Sequence, residues 1–124
     1  MIKEGCLDGI DEVYGYHNIP NFDEGDIRVC AGPFMASSTI VTIKVKGKGG
    51  HGSLPHKVND PISAGALMLT SFHSIKARLI NNSIPFVFSI TQFKSGFTFN
   101  VFPDEAFIQG SIRAYNEEVL EDVK

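Results

Sequence analysis

The stretch TIVTIKVKG, residues 39–47, decides how the rest of the chain is read. Val41, Ile43 and Val45 alternate with Thr42, Lys44 and Lys46, the period of two expected of a strand with one buried face. Glycines 47, 49, 50 and 52 then end it in a loop that carries His51. Downstream, NDPISAGALMLTSFHSIKARL (59–79) reads as one helix. Asp60 can cap it, and Pro61 sits at the first helical position, where a missing N–H does no harm. Ile62, Ala66, Leu69, Phe72, Ile75 and Leu79 form its apolar face, and Lys76 and Arg78 suit the C-terminal end of its dipole. PFVFSITQF (85–93) is a strand by its aromatic and β-branched content. KSGFTFNVFPD (94–104) is a connection. EAFIQGSIRAY (105–115) alternates again, with Ile108, Gly110, Ile112 and Ala114 on one face. NEEVLEDVK (116–124) opens a second helix, capped by Asn116 with acids in its first turn.

This order of strand, helix, strand, strand, helix is an α+β, ferredoxin-like unit, βαββαβ, short of its fourth strand. Its second helix has only about two turns and its sheet would keep an unpaired edge, so the chain reads as cut. Upstream, residues 3–10 look like the tail of a helix ending near Gly9. EVYGYHNI (12–19) and IRVCAGPF (27–34) look like short strands separated by the turn chemistry of PNFDEGD.

With 124 residues, 43% of them apolar and 20% charged, the composition fits one soluble globular domain. The net charge of −3, with no basic block, argues against a nucleic-acid or anionic-membrane partner. No apolar run approaches a membrane span, and MIKEGCLDGIDEV lacks the apolar core of a signal peptide. Cys6 and Cys30 form no framework and are expected to be free thiols in a reducing, cytoplasmic setting.

Four side chains stand out as candidates. His51 lies between glycines, which permit positive φ and leave the imidazole uncovered. It is either a plain loop residue or a group that reaches a ligand or a partner chain. His17, in YGYHNIP, is either a packed imidazole or a metal ligand, and no HxxxH, HxH or CxxC pattern accompanies it. Asn100, between Phe99 and Val101, is expected half-buried and in need of hydrogen-bond partners. Arg113 is the only charge amid an apolar strand. It is either a solvent-face residue or a fork for a carboxylate. His56 and His73 read as a loop residue and a structural mid-helix residue.

GYHNIP, AGPFMAS, KGKGGHGSLPH, VNDPISAG and FNVFPDEAFIQGSIRAYN occur in this order. Together they resemble the dinuclear-zinc aminoacylase and carboxypeptidase family. The likeness is to its amidohydrolase branch of hippurate hydrolases, N-acyl-amino-acid amidohydrolases and indole-acetyl-amino-acid hydrolases. The resemblance implies that residues 1–37 end the first half of an α/β catalytic domain, with the hinge, and that 38–124 form a truncated dimerisation lid. It implies two divalent ions per site (zinc, or manganese or cobalt), an N-acyl amino acid as substrate, and a homodimer formed through the lid. It further implies that His17 is one metal ligand and that His51 supports the scissile carbonyl in the partner subunit's site. Asn100 would touch substrate, and Arg113 would hold the carboxylate of the amino-acid half. The family's other ligands and its general base have no counterpart here, so the chain alone is expected to bind no metal tightly and to be inactive. Thr39 replaces an often acidic residue, which bears on lid packing. A stand-alone dimerisation module without chemistry is the alternative, and an unrelated ferredoxin-like binding domain a more distant one.

Overall fold

The computed structural model describes residues 1–123. The chain divides into two units, Met1–Cys30 and Ala31–Lys124.

In the first unit the expected helix tail is a single 3-10 turn, Ile2–Glu4, closed by Gly5 in the left-handed region at φ 79°. The two expected strands, 12–19 and 27–34, do not form. A strand exists only through its ladder, since its N–H and C=O groups alternate outward and need partners. Here Val13, Tyr14, Tyr16, Ile27 and Val29 are all exposed, with no neighbouring strand among the described residues. Local polar contacts take over instead. Arg28 Nη2 lies 2.6 Å from Asp26 Oδ2, and the Arg28 guanidinium stacks 4.0 Å from the centre of the Phe22 ring.

In the second unit the α+β, ferredoxin-like reading holds. Strand β1 is Thr39–Lys46, β3 is Phe86–Ser95 and β5 is Glu105–Ala114. They form one antiparallel sheet in the order β1-β5-β3. The last of the three long strands therefore sits between the other two, the arrangement of a split βαβ unit. Among the described residues β1 pairs with β5 alone, so its outer edge is open. Register sets Val41, Ile43 and Val45 opposite Gly110, Ile108 and Ala106 on one face. That face carries the buried Ile108 and Ile112, at 0% and 2% exposure. A bulge in β3 between Ile90 and Gln92 shifts its pairing by one residue.

Helix α1, Pro61–Phe72, lies across β5, β1 and β3. Its start is as expected: Asp60 Oδ1 accepts from the Ile62 N–H at 2.9 Å, and Pro61 follows the cap. Its buried stripe keeps Leu69, Phe72 and Ile75 as expected but departs by one residue at both ends. Pro61 and Gly65 are buried and Met68, Leu69 and Phe72 half-buried, whereas Ile62, Ala66 and Leu79 are exposed. The cause is Gly65, which lets the helix close on the sheet. A Cβ there would stand 2.7 Å from Phe93 Cε2 and 3.6 Å from Ile108 Cδ1. A hydrophobicity pattern gives glycine no weight, so the start of the stripe is misread by one position. The helix also breaks. His73 and Ser74 form a turn before the one-turn α2, Ile75–Arg78. Thr70 and Ser71 hydroxyls bond the carbonyls four residues back, at 3.1 and 3.0 Å, and Ser74 Oγ donates to Ser71 O at 2.7 Å. Such side-chain bonds compete with the helical ladder.

Helix α3, Glu117–Val123, is capped as expected, the Glu118 N–H donating to Asn116 Oδ1 at 2.8 Å. Its Val119 and Leu120 join Ile80, Phe86, Ile112 and Ala114 in the main apolar cluster.

Candidate functional site

The loop after β1 carries His51, and it is more ordered than its glycines suggest. Residues Gly50–His51 form a two-residue strand, β2, paired antiparallel with β4, Val101–Phe102. Asp104 fastens the approach: its carbonyl accepts from the Gly47 N–H and its Oδ1 from the Gly49 N–H, both at 2.8 Å. On the other side Lys48 and Asn59 exchange backbone bonds at 2.9 and 3.0 Å. Past the ladder, the Gly52 N–H donates to Asn100 O at 2.7 Å.

None of glycines 47, 49, 50 or 52 has positive φ. The expected conformational role is therefore replaced by a steric one. A Cβ at position 49 would lie 2.4 Å from Phe102 O, and one at 47 would lie 2.3 Å from Asn59 O. Gly49 and Gly52 leave room for the segment that carries β4, at Phe102 O and Asn100 O, whereas Gly47 and Gly50 leave room for Asn59 O and Val58 Cγ1 on the other side.

His51 projects from this ribbon and is exposed. Its Nδ1 receives the Ser53 N–H at 3.2 Å and lies 2.8 Å from Ser53 Oγ. Asn100 is brought beside it by the Gly52 bond, and its side chain is exposed rather than half-buried. The expectation failed because its neighbour Phe99 is itself 99% exposed and offers no cover. Thr98 Oγ1 donates to Asn100 Oδ1 at 3.3 Å, so the amide nitrogen is not engaged in that contact.

Arg113 stands near the far end of β5, on the sheet face opposite α1, across from Val87. It is exposed and has no ion-pair partner among the described residues. The same face carries an ion pair of Lys44 with Glu105, at 2.6 Å, and a Gln109 to Thr42 bond at 3.1 Å. Arg113 lies eight residues beyond Glu105, and Glu105 directly follows the Asp104 that holds the glycine loop. At about 3.4 Å per residue the strand separates the His51 end from Arg113 by roughly 27 Å.

His17 belongs to the first unit. Its Nδ1 lies 2.9 Å from Asn18 O. A carbonyl can only accept, so Nδ1 is the donor in this contact, and in the neutral ring the lone pair of a ligand imidazole is then on Nε2. No group of three or more His, Cys, Asp or Glu among the described residues could hold a metal ion. One imidazole does not make a site. His56 is exposed in the 3-10 turn Pro55–Lys57. His73, expected inside a helix, is exposed at the end of α1. Cys6 and Cys30 are free and exposed. Among the described residues no helix is long and apolar enough to cross a membrane.

Sequence reasoning missed Ser53 and Asp104. The proline–aspartate turn after NVF was a visible signal for the second. The first had only its place two residues after His51.

Comparison with known proteins gives a consistent result. The family described as a peptidase dimerisation domain matches residues 37–124. An N-acyl-L-amino acid amidohydrolase of Geobacillus stearothermophilus is 38% identical over 99% of this chain and 33% of its own length. A crystal structure from methicillin-resistant Staphylococcus aureus, assigned provisionally as an aminohydrolase, superposes with TM-score 0.82 at 32% identity, over 98% of this chain and 32% of that one. The Bacillus subtilis YXEP protein, a dinuclear metal binding peptidase of the M20 family, gives TM-score 0.65 at 30% identity, over 98% and 29%. The chain thus spans about a third of the length of the relatives it matches.

Proposed function

Because the chain belongs to the peptidase dimerisation domain family, we propose that it forms the dimer-making lid of a metal-dependent amidohydrolase acting on N-acyl amino acids. The observation that carries the reading is the division of its polar groups between the β2–β4 ribbon and the far end of β5. His51 and Asn100 are adjacent at the ribbon, and Arg113 stands alone at the strand end. A span of roughly 27 Å is several times the length of an N-acyl amino acid. The two ends therefore serve different substrate molecules. Each site in a homodimer takes Arg113 from one chain and the His51–Asn100 pair from the other.

In such a site the Arg113 fork grips the substrate carboxylate. The partner's imidazole directs Nε2–H at the amide oxygen, where negative charge develops as the carbonyl is attacked. The exposed amide of Asn100 offers a second donor. His17 contributes one imidazole toward a pair of divalent ions (zinc, or manganese or cobalt). Such ions, when bound, supply a Lewis acid and an activated water. The general base lies outside this chain.

The test uses whole-length subunits carrying His51→Ala or His17→Ala, each nearly inactive alone. After subunit exchange, a mixed dimer holds one site with an intact His17 and an intact partner histidine. Activity should return to at most about half of wild type, since one site of two is whole. Confirmed exchange with no recovery would place His51 in its own chain's site, or in none, and the proposal would fall.

A further inference from the structure

We propose that Ser53 is a positioning residue that fixes the tautomer of His51, and with it the kind of hydrogen bond that His51 can offer. The inference rests on the reading of His51 as a donor to the substrate oxygen.

A backbone N–H can only donate. The Ser53 N–H points at Nδ1 of His51 at 3.2 Å, so that nitrogen accepts and carries no proton. In the neutral ring the proton is then on Nε2. The Ser53 hydroxyl, 2.8 Å from the same Nδ1, must donate as well, because the lone pair already faces it. It is the shorter of the two contacts. The turn that places Ser53 over the ring is closed by the Leu54 N–H donating to His51 O at 2.9 Å. On the other side His51 is held in register with Val101. The exposed edge of the imidazole therefore presents N–H rather than a lone pair. A lone pair at that position would repel a developing oxyanion, whereas an N–H stabilises it. Loss of the hydroxyl leaves only the longer backbone contact to choose between the tautomers.

The direct test is magnetic resonance of the 124-residue chain labelled in its histidine ring nitrogens, with His51 assigned by His51→Ala. The wild type should show an unprotonated Nδ1 and a protonated Nε2. In Ser53→Ala the two ring-nitrogen shifts should move toward each other as the tautomers mix, and Ser53→Thr should keep the wild-type pattern. In the whole-length enzyme, Ser53→Ala should lower kcat by about two- to tenfold, the range one net neutral hydrogen bond supports. KM should change little, and Ser53→Thr should recover the rate. A protonated Nδ1 in the wild type overturns the tautomer assignment, and ring shifts unchanged in Ser53→Ala overturn the role of the Ser53 hydroxyl in fixing it. Shifts that move while kcat stays constant overturn the functional role of Ser53, whereas the reading of His51 as donor stands or falls separately with the loss of activity in His51→Ala.

Discussion

Replacing Gly49 by alanine tests whether the approach of β2 to β4 places His51. An added Cβ would stand 2.4 Å from Phe102 O and 3.1 Å from Asp104 Oδ1, whereas real Cβ atoms essentially never come within 3.0 Å of a neighbour. The carbonyl belongs to β4, whose next residues run into the central strand, so the loop must give way. It has to retreat by at least roughly 0.6 Å, and a misplacement near 1 Å at a reacting centre costs about 100-fold. Gly49 is two residues from His51, so kcat in the whole-length enzyme should fall by about 10- to 100-fold. Overpacking of this kind destabilises by about 2 kcal/mol, which for a domain of this size lowers Tm by roughly 8–16 °C. Gly52→Ala makes the graded control. There the added Cβ meets Asn100 O at 3.0 Å, so a shift of a few tenths of an ångström suffices and both effects should be smaller. Steady-state kinetics and thermal melting on the two variants decide the matter. If Gly49→Ala retains kcat within about twofold and melts with the wild type, the loop is not positioned by that contact. Equal losses at 49 and 52 would also refute the steric ordering.

Ile108→Ala removes a side chain with 0% exposure from the middle of the sheet and should cost about 2–5 kcal/mol in chemical denaturation. Asp60→Ala removes the cap of α1 and should cost about 1 kcal/mol near neutral pH. The Ser63 hydroxyl, aided by the Ile62 and Ser63 N–H groups against partial burial, holds the Asp60 carboxyl below its ordinary pKa. A depressed folded value means that the contribution is complete above the unfolded pKa of about 3.9. It is lost as pH falls through the lower folded value. Denaturation of wild type and variant should therefore converge in acid, and a gap that widens there would contradict the assignment.

The sheet was legible because its pattern is carried by side chains that hydrophobicity recognises. Alternation at 41, 43 and 45 and at 108, 112 and 114 marks the faces the structure buries. The caps at Asp60 and Asn116 were legible for a similar reason, being short-range bonds between neighbours in sequence. What escaped is what depends on the absence of a side chain or on a distant backbone. Gly65 shifts the buried start of α1 by one position, and Gly49 and Gly52 make room for the segment that carries β4 some fifty residues away. The strands expected in the first unit failed for the complementary reason, since propensity is local and a ladder partner is not. Of the site, the proximity of His51 to Asn100 was beyond any spacing rule. The free state of Arg113 was one of two readings that the sequence left open.

The length of β5 has a consequence for how activity scales with protein amount. If neither set of groups can complete the other within one chain, a lone subunit is silent however well it folds. The working species then forms in proportion to the square of free subunit concentration when subunits are scarce. Halving the amount of protein in that regime would quarter the turnover, and in abundance it would halve it. A strand of ten residues, by holding two sets of groups apart, would thus set a concentration threshold below which the chemistry is off.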